Sequence, residues 1–181
     1  YTEADAAVAG AARTDVERDR RLEGDEFERV LAVITVGVLP RKQRPLALPD
    51  PAALRCLVVL AVETAMRLRE MFTITLGQVD LGRSTVFLDK TKNGDKRQVP
   101  LSSVARDALR AYLLVRDVPS CGDRLFPWWD GDASKKALAT TSDYLSKLFA
   151  SIFEQAGAAD LRFHDLRHEA TSRLFERTTL S

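Results

Sequence analysis

A mainly α-helical domain carrying a small three-stranded antiparallel β-sheet is the fold class this sequence predicts, on three observations. Most of the apolar residues recur at helical spacing in long segments with recognisable caps. Strand character is confined to three short runs, QVDL, STVFLD and KRQVPLS, all between residues 78 and 102. The chain has 181 residues, 45% of them hydrophobic, enough for one sizeable core, and nothing in it demands a second.

The elements follow in order. Residues 1–22 mix alanines with alternating charges and hold too few large apolar residues to face a core, so they read as an interdomain linker or arm, with the domain at 23–181. GDEFERVLAVITVGVL places Phe27, Val30, Leu31, Ile34 and Val38 at helical spacing, with acids in the first turn where the helix dipole favours them. Asp50-Pro51 forms an N-cap and first-turn pair ahead of the apolar run LRCLVVLAVETAM, expected to be the central helix with Cys56 in the core. Gly82 and Arg83 separate the first two strands, and Asn93-Gly94 is a hairpin-turn signal before the third. Ser102 or Ser103 caps the next helix, whose inner side is read as Val104, Ala108, Leu109 and Leu113. Prolines and glycines break residues 118 to about 140 into a loop, in which Trp128 and Trp129 are expected to pack underneath. SDYLSKLFASIFEQAG then forms a helix stopped by Gly157, and a last helix begins near His164.

Composition excludes several classes. No run of about 18 apolar residues occurs and the first residues are acidic, so neither a membrane span nor a signal peptide is expected, and the protein reads as cytoplasmic. Cys56 and Cys121 lie far apart, without the spacing of a disulfide framework or zinc knuckle. Net charge is +1, but residues 1–30 hold nine acids against five bases, which leaves the body of the chain basic.

Three segments carry chemistry. Arg67 and Glu70, in TAMRLRE at the end of the apolar helix, are three apart and can face each other. Lys92 sits at the expected hairpin tip in TKNGDKRQVPL. His164, Arg167 and His168, in HDLRH, share one helical face, with Leu166 pointing away from it. Taken singly, these are a surface ion pair, a solubilising turn and a helix N-terminus. A zinc pair from His164 and His168 has no third ligand, so no metal or other cofactor is expected.

Together and in this order the segments resemble the tyrosine recombinase (phage integrase) family, whose catalytic domain carries T-G-x-R-x-x-E, a hairpin lysine before V-P-L, and H-x-L-R-H. The resemblance runs from about Arg21 to the last residue and takes in RRLEGDEFERVL and LFPW; Ala65 replaces the usual glycine. It implies the integrase catalytic-domain fold and double-stranded DNA as partner. Arg67 and Arg167 would hold the scissile phosphate, Lys92 would protonate the leaving oxygen, and His164 would assist proton transfer. Glu70 would orient Arg67, and His168 would support the helix end.

Those residue types suit the task independently. Two guanidiniums grip nonbridging oxygens with paired donors and stay charged at any working pH. A flexible ammonium can protonate a departing alkoxide. The family nucleophile is a tyrosine well downstream of H-x-L-R-H, whereas Tyr1, Tyr112 and Tyr144 all lie upstream of HDLRH. The chain is therefore read as a catalytic domain that stops before its nucleophile, inactive and monomeric as a fragment and homotetrameric on DNA at full length. A type IB topoisomerase-like enzyme and a non-catalytic DNA-binding module with a retained phosphate pocket are the alternatives.

Overall fold

The computed structural model describes residues 20–89 and 96–179, with side chains through Glu176. Seven α-helices, one 3-10 turn and five short strands are present among them, the strands in one two-stranded and one three-stranded antiparallel sheet. The expected mainly α fold with a three-stranded sheet is what forms.

Helix α1 spans Glu26–Val36 and buries Val30 and Ile34. It is shorter than its apolar pattern suggests. Gly37 adopts φ 73° and donates its N–H to the Val33 carbonyl, ending the helix by a left-handed cap. Val38, expected on the helix, instead opens strand β1 (Val38–Leu39), which pairs with β2 (Leu46–Ala47). This hairpin was not anticipated, because two-residue strands leave no period to read. Its tip exposes Arg41, Lys42 and Arg44.

Helix α2, Pro51–Thr64, is the central element, packed by α1, α4 and α7. The Asp50 carboxylate accepts from the Ala53 N–H at 3.0 Å, and ten of the fourteen residues are buried, Cys56 among them. After a short helix α3 (Leu68–Phe72), the sheet forms from β3 (Val79–Asp80), β4 (Thr85–Leu88) and β5 (Arg97–Pro100), in that order. The Asn93-Gly94 turn lies outside the described residues.

Helix α4 (Ser103–Val115) is capped by Ser102, whose Oγ accepts from the Ala105 N–H at 3.1 Å. Its inner face is Ala105, Leu109 and Tyr112, with Leu113 packed beside it; of the expected side Leu109 is buried, but Val104 is 54% exposed. The tyrosine ring decides the rotation: it is 2% exposed and stacks on Phe126 at 5.3 Å, which in turn stacks on Trp128 at 5.5 Å. Trp128 and Trp129 pack against the core as expected.

The segment read as a loop from 118 to about 140 is shorter. Val118–Cys121 forms a helical turn, α5, and α6 runs Lys135–Gln155 from a Ser134 cap. The first turns of α6, KKALATT, are largely solvated and so lack the apolar period by which a helix is recognised. Gly157 (φ 76°) follows α6 in a conformation that strains any residue with a Cβ, and a Cβ there would also make the tip of Arg29 move aside. Helix α7 spans Phe163–Thr179.

Arg20 and Arg21, at the end of the stretch read as an arm, lie against the domain. Arg20 pairs with the buried Glu26 at 2.7 Å and with Asp160 at 2.8 Å; Arg21 pairs with Glu169 at 3.1 Å and Glu176 at 3.0 Å.

Candidate active site

The site is built where α2 stops. The apolar run was read as reaching the Arg67–Glu70 pair on one helix, but the helix ends at Thr64. Ala65 turns left-handed (φ 53°), and Arg67, in extended conformation, starts α3 as its N-cap. A residue without a bulky β-substituent is needed at this turn, which accounts for alanine where the motif has glycine. Glu70, three residues on and 7% exposed, closes the new helix by accepting the Arg67 backbone N–H at 2.8 Å, while its other oxygen accepts from Arg67 Nη1 at 3.0 Å. One carboxylate thus fixes both the main chain and the guanidinium of Arg67.

From α7, Phe163 and Leu166 go into the core and leave His164 and Arg167 on the open side. The two helices face each other across a concavity of about 210 Å³, lined by Arg67, His164, Arg167 and Ser146 over an apolar floor that includes Met66 and Phe163. His168 stands edge-on to His164, ring centroids 5.0 Å apart, outside the lining. Arg67 is therefore brought together with His164 and Arg167, which lie 97 and 100 positions further along the chain. Lys92 lies outside the described residues, as does Tyr1. Tyr112 is buried in the core and Tyr144 is exposed on α6; neither lines the concavity.

Sequence reasoning missed Arg97. This first residue of β5 donates from Nη2 to the second oxygen of Glu70 at 2.8 Å. A signal was available: Arg97 has the same strand parity as the buried Val99, so it belongs to the inward face, where an arginine needs a partner.

The electrostatics are unbalanced. Arg67 and Arg97 share the one carboxylate of Glu70, and the third guanidinium, Arg167, pairs with none among the described residues. Among the described residues Arg97 Nε and Arg167 Nη1 are buried without an acceptor, and the Arg167 guanidinium has no hydrogen-bond or ion-pair partner. Burial, then the charge of Arg67, makes Arg167 easier to deprotonate than an ordinary arginine, with Glu70 opposing. Burial, then His168, Arg167 and Arg67, pushes the His164 imidazole below its usual value against the pull of Asp165. Such a site is arranged to receive an anion. Among the described residues, no group of three or more His, Cys, Asp or Glu is placed to hold a metal ion.

The far half of α7 carries a different network. Glu169, 5% exposed, accepts from Arg173 at 2.6 Å and Arg21 at 3.1 Å. Arg173 also lies 3.9 Å from Glu63, which accepts from Ser102 Oγ at 2.5 Å.

Residues 20–179 match the model of the phage integrase family. A shufflon-specific DNA recombinase of Escherichia coli is 35% identical over 122 residues, covering 67% of this chain and 27% of that protein. Tyrosine recombinase XerD of Caulobacter vibrioides is 32% identical over 110 residues, 59% of this chain and 32% of that one. The chain thus spans about a quarter to a third of these relatives. Among solved structures, XerA recombinase superposes with a TM-score of 0.63 at 18% identity, over 89% of this chain and 51% of that one. XerH recombinase bound to its difH substrate superposes with a TM-score of 0.59 at 24% identity, over 87% and 43%. These two superpositions speak to the fold. The family model, matched over nearly the whole described length, carries the conclusion that the chain belongs to the phage integrase family.

Proposed function

We propose that this chain is the phosphodiester-binding part of the catalytic domain of a site-specific tyrosine recombinase, and that its substrate is double-stranded DNA. The observation that carries the reading is the meeting of Arg67 and Arg167 across one concavity, with His164 beside them and the Arg167 guanidinium unpartnered. In the reaction, a tyrosine oxygen attacks the scissile phosphorus, the bond to the 5′ oxygen breaks, and a 3′-phosphotyrosyl ester conserves the bond energy, so that rejoining needs neither ATP nor metal. Arg67 and Arg167 neutralise the charge that builds on the nonbridging oxygens. Lys92 delivers the proton to the departing 5′ oxygen, and His164, held neutral, takes part in the tyrosine's proton transfer. Glu70 sets the angle of Arg67, and His168 supports the ring of His164. The nucleophile belongs to sequence downstream of HDLRH, and the complete enzyme works as a homotetramer on DNA, with the present chain monomeric alone.

The test is a denaturing gel. The longer protein that includes the downstream tyrosine, mixed with a nicked duplex carrying its recombination site in the presence of a chelator, should form a covalent 3′ adduct. Cleavage that requires a divalent cation would overturn the mechanism. A chain that binds DNA and forms no adduct even with the downstream sequence restored would favour a non-catalytic binding module.

A further inference from the structure

The proposed function leaves Arg97 without a role. It does not line the concavity, yet it takes one oxygen of the carboxylate that holds Arg67. Glu70 Oε2 accepts from the Arg67 backbone and from Arg97 Nη2, so only Oε1 remains for the Arg67 guanidinium. Among the described residues, and so leaving Lys92 aside, one glutamate would without Arg97 offset two arginines, a single excess positive charge. With it, the excess is two.

We propose that Arg97 is a positioning residue that draws half of the Glu70 carboxylate away from Arg67 and so tunes the site to a doubly charged phosphoryl group rather than to a singly charged phosphodiester. The proposal rests on the phosphodiester reading above. A DNA phosphodiester carries one negative charge. When a tyrosine oxygen adds before the 5′ oxygen has left, the five-coordinate phosphorus group carries a second until the leaving oxygen is protonated. A site with two excess positive charges therefore favours that state over the bound substrate, which is the condition for accelerating the step. Two features of the structure point the same way. Arg97 Nε and Arg167 Nη1 are buried donors with no acceptor among the described residues, where buried donors are ordinarily bonded. Arg97 also acts electrostatically on Arg167.

Two small anions separate this role from a merely structural one. Inorganic phosphate at pH 8 is mainly a dianion, and dimethyl phosphate is a monoanion with the substrate's diester chemistry. Each is titrated into the 181-residue chain, with the His164 and His168 ring resonances as reporters. In Arg97→Gln the affinity for inorganic phosphate should fall roughly tenfold, and that for dimethyl phosphate, which meets the same potential with half the charge, by about threefold. Arg97→Lys, which keeps the charge, should retain the preference for the dianion. Equal losses for both anions, or none for either, overturn the inference and leave the phosphate-site reading standing. If Arg97→Gln does not fold, Arg97→Lys decides: a folded lysine variant without the dianion preference also overturns it. Failure of the wild-type chain to bind either anion removes the phosphate-site reading itself, and this inference with it.

Discussion

Helix α7 joins two ionic clusters that differ in one respect. At its start, Arg167 meets Arg67 and Arg97 around the single carboxylate of Glu70, and two buried guanidinium donors are left over. In its second half, Arg173 and Arg21 are matched by Glu169, Glu176 and Glu63, and each cation has a carboxylate within reach. The residue types are the same and both clusters are partly buried. A matched cluster is complete without a ligand and contributes to holding Arg21, α7 and α2 together. An unmatched one lowers stability until something anionic arrives, and such an expense is retained where function requires it. Substitutions should therefore have opposite signatures at the two ends of one helix.

The largest expected effect is at the unmatched end. Arg167→Ala in the longer protein should slow DNA cleavage by roughly 10²–10³, the loss typical of removing one preorganised donor from a developing oxyanion. Its melting temperature should hold or rise, because the guanidinium removed has no partner among the described residues. Cleavage assays beside calorimetry read both. A variant that cleaves normally, or one that unfolds, would erase the contrast with the matched cluster.

Next in size is Arg173→Ala. It should leave anion binding at the concavity unchanged and cost about 1–2 kcal/mol of stability, less than a fully buried broken pair because Arg173 is one-third exposed and screened. The acid limb of the stability curve should change with it. Burial alone would raise the Glu169 carboxyl, but hydrogen bonds from Arg173 and Arg21 outweigh it and hold the group below the usual carboxylate value. Its contribution is therefore present above about pH 4.5 and lost as pH falls through the lower folded value. Urea unfolding between pH 3 and 6 should show a shallower acid loss in Arg173→Ala than in wild type. Parallel curves would mean that Glu169 draws its stabilisation elsewhere.

The contrast also bears on what could be read from residues alone. Arg67, His164 and Arg167 stand in short segments whose order and spacing point to one site, and their meeting at the concavity follows that order. Arg97 was passed over although it stands in KRQVPLS, a run read as a strand; only the strand parity with Val99 marks it. The Arg173–Glu169–Arg21 cluster was equally hidden, since Arg21 and Glu169 are 148 positions apart and only the tertiary fold brings them together. In the fold, long amphipathic segments announced themselves. The β1–β2 hairpin, the early start of α6 and the rotation of α4 did not. Two-residue strands and solvated first turns carry no apolar period, and Tyr112 buries a ring that simple apolar patterning discounts. Lys92 lies outside the described residues, so its place at the site is left to the functional proposal.

A smaller effect tests the charge imbalance without touching any arginine. Burial and the positive groups His168, Arg167 and Arg67 depress the His164 imidazole, so its titration midpoint should fall below the ordinary value near 6.5. The sign follows directly: the neutral form is favoured in the folded state, and any stability linked to it is present above about pH 6.5 and lost as pH falls through the depressed value. Inorganic phosphate should move the midpoint upward by offsetting the cations. A midpoint at or above 6.5 in the free chain, unmoved by phosphate, would mean that the excess charge does not reach the concavity.

The smallest effect concerns the backbone on which the unmatched cluster is hung. Ala65 is held left-handed between α2 and α3, and that turn aims Arg67 and lets Glu70 reach back to its N–H. An alanine there costs about 1–2 kcal/mol relative to its preferred conformations, whereas glycine adopts the same angles without penalty. Glycine brings its own cost, about 0.4–1 kcal/mol of extra freedom in the unfolded chain. The difference favours Ala65→Gly by about 0.5–1 kcal/mol, a rise of about 1–4 °C in melting temperature for a chain of this length. Ala65→Val, whose branched Cβ is worst suited to a positive φ, should fall by more than glycine gains. If the strain serves only to permit the turn, Ala65→Gly keeps its affinity for inorganic phosphate while gaining stability. If phosphate affinity drops as stability rises, the stiffness of alanine itself holds Arg67 at its angle, and the strain belongs to the site as much as the surplus charge does.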